Sequence, residues 1–273
     1  MSINKIPSHV SQTLTICRYE LLRYSRGKKT IGIILITLAF SILLVAIPDI
    51  SGTPRPLTAA EAFSTPLDFV FFAIVLVAAF LGSNSIISEF HDKTGFLLFT
   101  NPISKTSIWF GKFVAAEIIA VIMIFLYFGT TFVYASINYD HIPEQVLLSL
   151  AFSLLSVTMI MSLTFFVSSA SKGPTGAAVL IFFLFIIILP VFDQLLINFS
   201  DIKPWFTPTF SSEIIVYAII DPYPSDITDD IARGPFDIDK YVPYIFESVL
   251  VMSAYLIVSA FLSIMIFRRR ELS

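Results

Sequence analysis

The 273-residue sequence holds one cysteine, Cys17, so no disulfide can form within the chain. Charged residues make up only 14%, against about 25% in an ordinary soluble domain. With 56% hydrophobic residues and a mean hydropathy of +0.85, most of the chain has too little polar surface for water to solvate it. Its three histidines, His9, His91 and His141, share no ligand spacing with a cysteine or an acid, so no metal site is expected. No Gly-x-x-x-x-Gly-Lys-Ser/Thr run occurs, and Gly173-Pro174-Thr175-Gly176 reads as a turn. The chain is therefore expected neither to bind ATP nor to hydrolyse it, and no other cofactor is expected. No Ser-His or Asp-Asp pair lies in the apolar stretches, which argues against an intramembrane enzyme. A cleavable leader is not expected either, because the first strong apolar run starts at Thr30, behind a long polar lead.

What the sequence does hold is six long apolar stretches, over residues 30–47, 67–87, 114–137, 146–167, 176–195 and 244–267. A bilayer core of about 30 Å takes roughly 20 apolar residues as a helix. Within hydrocarbon a peptide group has no water to bond, so each stretch must be helical. The expected fold is an all-α integral membrane protein with six transmembrane helices, over residues 1–273 as one domain. The fifth stretch follows Gly173-Pro174 and is expected to be short or kinked.

Orientation follows from Lys and Arg near the span ends. Lys5, Arg18, Arg23, Arg26, Lys28 and Lys29 precede the first span, and Lys93, Lys105 and Lys112 lie between the second and third. Lys172 follows the fourth, and Arg268, Arg269 and Arg270 follow the sixth. Only Arg55, Lys203, Arg233 and Lys240 fall on the other side. Both termini are therefore expected in the cytoplasm of a multi-pass cell-membrane protein. The long segment 196–243, rich in acids such as Asp226, Asp229 and Asp230, is expected outside. Within it Thr209 or Ser211 is expected to start a short helix reaching Ile220. Trp109, Phe110, Tyr139, Tyr241 and Tyr244 sit at span ends, as an interfacial belt would require.

In the lead 1–29, Val10, Leu14, Cys17, Leu21 and Tyr24 recur at spacings of four and three, with Gln12, Arg23 and Arg26 on the far side. That pattern is expected to form an amphipathic helix in the headgroup plane. Between spans two and three, the segment 88–113 is punctuated by Gly95 and Asn101-Pro102, and Ser104 is a candidate N-cap for the third span. Glu117 is the clearest ionisable residue inside a span, about one turn from its end. It reads either as a pathway residue or as half of a structural pair with Lys112. Ser149, Ser153, Ser156 and Thr164 mark one side of span four, as close helix packing requires.

The segment 88–113 carries Glu89, Pro102-Ile103-Ser104-Lys105 and Gly111-Lys112, and in this it resembles type-2 ABC transporter permeases. Their usual loop has an acid, a Gly-Thr pair, a leucine-rich step, Pro-Ile-Ser-Arg/Lys and then Gly-Lys. Here Lys93-Thr94 stands at the Gly-Thr position, with glycine displaced to Gly95. The amphipathic lead, six spans and long segment before the last span are similar too. The resemblance implies a permease subunit of an ATP-driven exporter, with ATP used by a cytosolic ABC ATPase. It implies that 88–113 is the coupling loop, with Glu89, Asp92, Lys93 and Thr94 as the candidate contacts. It also implies a second permease subunit, identical or not, beside the lipid bilayer; no nucleic-acid partner is expected. The alternative reading is a membrane scaffold or assembly factor that transports nothing.

Overall fold

Helix α1 starts where Ser8 caps it, its hydroxyl accepting from the Ser11 N–H at 3.3 Å, and spans His9–Arg26. Only Gly27 separates it from α2, Lys28–Ser51, which closes at Gly52 with φ 69°, a left-handed conformation that favours glycine. There follow α3, Ala59–His91, α4, Lys105–Asn138, and α5, Gln145–Ala170. Next come α6, Pro174–Ser200, the short α7, Pro208–Ser212, and α8, Ile214–Tyr217, then α9, Ile245–Arg269. The computed structural model describes residues 8–52, 54–91, 103–171, 173–226 and 241–269, and among them there is no strand.

Six of these helices, α2, α3, α4, α5, α6 and α9, are long and apolar enough to cross a membrane. The chain is an all-α integral membrane protein. Five expected stretches lie wholly within a helix and the sixth, 244–267, begins one residue before its helix at Ile245; most helices run further than the stretches. Stretch 114–137, for example, sits inside Lys105–Asn138. Hydropathy registers only the part facing hydrocarbon, whereas the helix continues through polar turns until its cap.

Helix α3 forms the centre: 72% of its apolar window is buried, against 28% for α2, 17% for α6 and 22% for α9. It packs on α5, α4 and α6, while α5 is also held against α9. The α3–α5 contact is close because Gly82 faces Thr164: a Cβ at Gly82 would lie 2.7 Å from Thr164 Cγ2. Helix α6 is not short. It is interrupted by a π segment, Leu184–Ile188, just before Pro190. A proline lacks the N–H that would bond one turn back, and the wider π turn accommodates its ring.

Both described chain ends lie at one end of the bundle. His9 Nδ1 is 3.2 Å from Ser104 Oγ, and Lys105 Nζ donates to the Arg268 carbonyl at 3.1 Å. An even number of crossings requires this.

One sequence reading needs correction. Trp109 is not in an interfacial belt. It is 1% exposed, stacks on Phe113 at 4.9 Å, meets Phe165 edge-on and donates from Nε1 to Ser263 at 2.8 Å. The α1 stripe divides between the exterior and the protein, which leaves the expected amphipathic helix standing. Val10 and Leu14 are exposed, whereas Gln12 and Glu20 are buried beside Cys17 and Tyr24. In a protein whose exterior meets lipid, the polar side of a helix is the side that needs protein partners.

Candidate functional site

The first turns of α4 and the whole of α1 meet in one polar junction. Ser104 caps α4, as its sequence position suggests, with Oγ accepting from the Ser107 N–H at 3.1 Å. The Ser104 N–H in turn donates to Gln12 Oε1 at 3.1 Å, so the residue that opens α4 is tied to α1. One turn further on, Gly111 lets α1 come close: a Cβ there would sit 2.7 Å from Ile16 Cβ and 2.9 Å from the Thr13 carbonyl oxygen. Lys112, 1% exposed, then places Nζ 2.5 Å from Glu20 Oε1. Arg23 Nε approaches Glu20 Oε2 at 3.3 Å. At the C-terminal end of α1, Tyr24 Oη lies 2.8 Å from Ser85 Oγ on α3. Burial pushes the Tyr24 phenol up to about 12, with the Ser85 hydrogen bond pulling the other way. Helix α1 is thus bolted to both helices that flank segment 92–102.

Of the candidate coupling residues, Glu89 falls in the last turn of α3, and its side chain lies outside the described residues. Asp92, Lys93 and Thr94 lie outside them altogether.

The Lys112–Glu117 pairing does not occur. Five residues apart on a helix are about 140° apart around its axis, so the two side chains leave on different faces. Lys112 turns to Glu20, and Glu117 accepts from Thr158 Oγ1 at 2.6 Å, joining α4 to α5. Glu117 Oε2 is buried without a hydrogen bond. Sequence reasoning missed Glu20, though a signal was present: it is the only acid before Asp49, set among arginines and lysines.

Along the α5–α9 contact runs a seam of hydroxyls. Ser169 Oγ meets Ser263 Oγ at 2.9 Å, Ser162 Oγ meets Ser259 Oγ at 2.7 Å, and Ser156 reaches Met252 Sδ and Ser212 Oγ. Ser149, Ser153, Ser156 and Thr164 are all fully buried, which makes them packing residues.

At the opposite end, α7 and α8 are buried against α9, α5 and α3. The cap is Thr207, whose hydroxyl accepts from the Phe210 N–H at 3.3 Å; neither Thr209 nor Ser211 is the cap. Asp193 of α6, 3% exposed, accepts a hydrogen bond from the Thr209 hydroxyl. Nearby, Asp226 takes Lys203 Nζ at 3.1 Å, the Val242 N–H at 2.8 Å and Tyr244 Oη at 3.0 Å. Partial burial raises the Asp226 carboxyl, but those three donors outweigh it and hold the group below its ordinary value. Asp229 and Asp230 lie outside the described residues.

A family model described as ABC-2 family transporter protein matches residues 14–272. No curated protein matches the chain.

Proposed function

Since the chain belongs to the ABC-2 family of transporter proteins, we propose that it is the membrane-spanning permease subunit of an ATP-driven exporter. It would act as one domain over residues 1–273, with both termini in the cytoplasm of the cell membrane. A separate cytosolic ABC ATPase would use the ATP, this chain binding none. A second permease subunit would complete the pathway. The observation that carries this reading is the fastening of the helices on either side of segment 92–102. The helices that enter and leave it, α3 and α4, are both fastened to α1 through Tyr24–Ser85, Gln12–Ser104 and Glu20–Lys112. A push delivered to that segment would reach the bundle through rigid elements rather than dissipate in a loose loop. Glu89, Asp92, Lys93 and Thr94 are the proposed contacts with the ATPase. Glu117, partly buried at the α4–α5 contact, is proposed as a pathway residue.

The test is co-purification of the ATPase with Glu89→Ala, Lys93→Ala and Thr94→Ala forms of the full chain, with ATP hydrolysis measured in parallel. Loss of association with preserved membrane insertion is expected. Unchanged association and hydrolysis, or labelling that placed residues 92–94 outside the cell, would overturn the coupling role. Stable association with no substrate-stimulated hydrolysis would instead indicate a scaffold.

A further inference from the structure

At the α1 end of the bundle, a groove of about 600 Å³ opens between α1, the start of α4 and the end of α9. Its floor is apolar: Leu14, Phe110 and Val114 line it, and all three are exposed. Its rim is polar, with Ser104, Thr106 and Arg268. No acidic side chain lines it. Among the described residues, the Arg268 side chain makes no hydrogen bond or ion pair. Arg269 stands beside it, bordering a smaller adjoining groove of about 410 Å³.

We infer that this groove seats an anionic phospholipid from the leaflet at the α1 end, with its phosphate on Arg268 and the Thr106 hydroxyl and an acyl chain on Leu14, Phe110 and Val114. Three features select this occupant. The rim offers positive charge and hydroxyl donors without a competing carboxylate, which favours a phosphate. The floor needs an apolar occupant, which a free anion lacks. The apolar surface also continues along α4: Phe110, Val114, Ile118 and Ile122 are exposed at four-residue steps. That stripe extends about 18 Å at 1.5 Å per residue, room for an acyl chain running into the bilayer. The site also has a physical setting in which it is useful, because the same groove is walled by the α1–α4 junction. A lipid held there would brace α1 against α4, the helix that leaves segment 92–102.

The experiment is native mass spectrometry of the full chain, delipidated in detergent and then titrated with phosphatidylglycerol or phosphatidylcholine. The expected result is preferential one-to-one retention of phosphatidylglycerol. Arg268→Gln should weaken it about tenfold, the scale of one charge-assisted contact. Val114→Trp, which fills the floor and leaves the charges in place, should weaken both lipids and keeps the inference testable if the arginine variant does not fold. Millimolar inorganic phosphate should not displace the lipid. Equal retention of the two lipids, indifference to Arg268→Gln, or displacement by phosphate alone would each overturn the inference. So would protection of the groove by a second copy of the chain in place of lipid. None of these outcomes depends on an ATPase being bound, so the inference and the coupling role fail separately.

Discussion

Lys112 Nζ lies 2.5 Å from Glu20 Oε1, with the lysine 1% exposed, so a buried ion pair fastens α1 to α4. Removing Lys112 leaves the buried Glu20 carboxylate with only the half-exposed Arg23 beside it, and breaking a buried pair costs up to about 3–5 kcal/mol. Lys112→Met is therefore expected to lose most of its folded fraction in a heating series followed by size-exclusion chromatography. The double variant Lys112→Met, Glu20→Leu should recover much of the loss, because no charge is stranded. If the single and double variants melt alike, the pair contributes through packing alone.

The positions of the spans were legible in the sequence because hydrocarbon demands long apolar helices, and all six expected stretches coincide with observed ones to within one residue at Tyr244. Which face of each helix turns inward was not legible. Lipid-facing and protein-facing sides are both apolar, so periodicity carries little contrast. That is why Trp109 reads as interfacial although it is buried. The polar residues carry the missing contrast: Gln12, Glu20 and Lys112 all point into the protein. The Lys112–Glu117 pairing failed because it took neighbours in sequence for neighbours on a helix, while Glu20 lies 92 residues from its partner.

Gly111 and Gly129 offer a matched test of the α1 contact, since both lie in α4. A methyl group at Gly111 would meet Ile16 Cβ and Cγ2 at 2.7 Å and the Thr13 carbonyl oxygen at 2.9 Å, and the backbone oxygen cannot swing aside. At Gly129 a Cβ meets nothing within 4 Å. Gly111→Ala is expected to destabilise by about 1–3 kcal/mol, the usual range for overpacking, and to raise proteolysis within α1. Gly129→Ala should be neutral. Equal effects in the two variants would show that α1 is not seated closely on α4.

The Asp226 cluster predicts a pH dependence with a definite sign. Although burial raises its carboxyl, the Val242 N–H, Lys203 and Tyr244 together lower it below the ordinary value of 3.8. A group with a depressed folded-state value contributes stability that is fully present above the unfolded value. That contribution is lost as pH falls through the folded value. Amide exchange over residues 201–226 and 241–244 should therefore be flat from neutral pH down to about 4 and accelerate below it, after correction for intrinsic exchange rates. Asp226→Asn should exchange faster at neutral pH and lose the acid transition. A transition that persists in Asp226→Asn would assign it to another carboxyl.

Asp193 and Thr209 fix where the buried α7 sits against α6. Thr209 donates to Asp193 Oδ2, while Asp193 Oδ1 has no hydrogen bond. Thr209→Val keeps the shape of the side chain and removes the donor, leaving a buried carboxyl without that partner. A loss of about 1–3 kcal/mol is expected. Asp193→Leu removes the polar group as well, so in the Thr209→Val background it should cost less than the sum of the two single changes. The same variants should raise protease cleavage between α6 and α8, because helices of five and four residues have little stability of their own once their packing loosens. Strict additivity of the two substitutions, with cleavage unchanged, would mean that the apolar contacts of Phe210, Ile214 and Ile215 hold α7 and α8 without help from the polar pair.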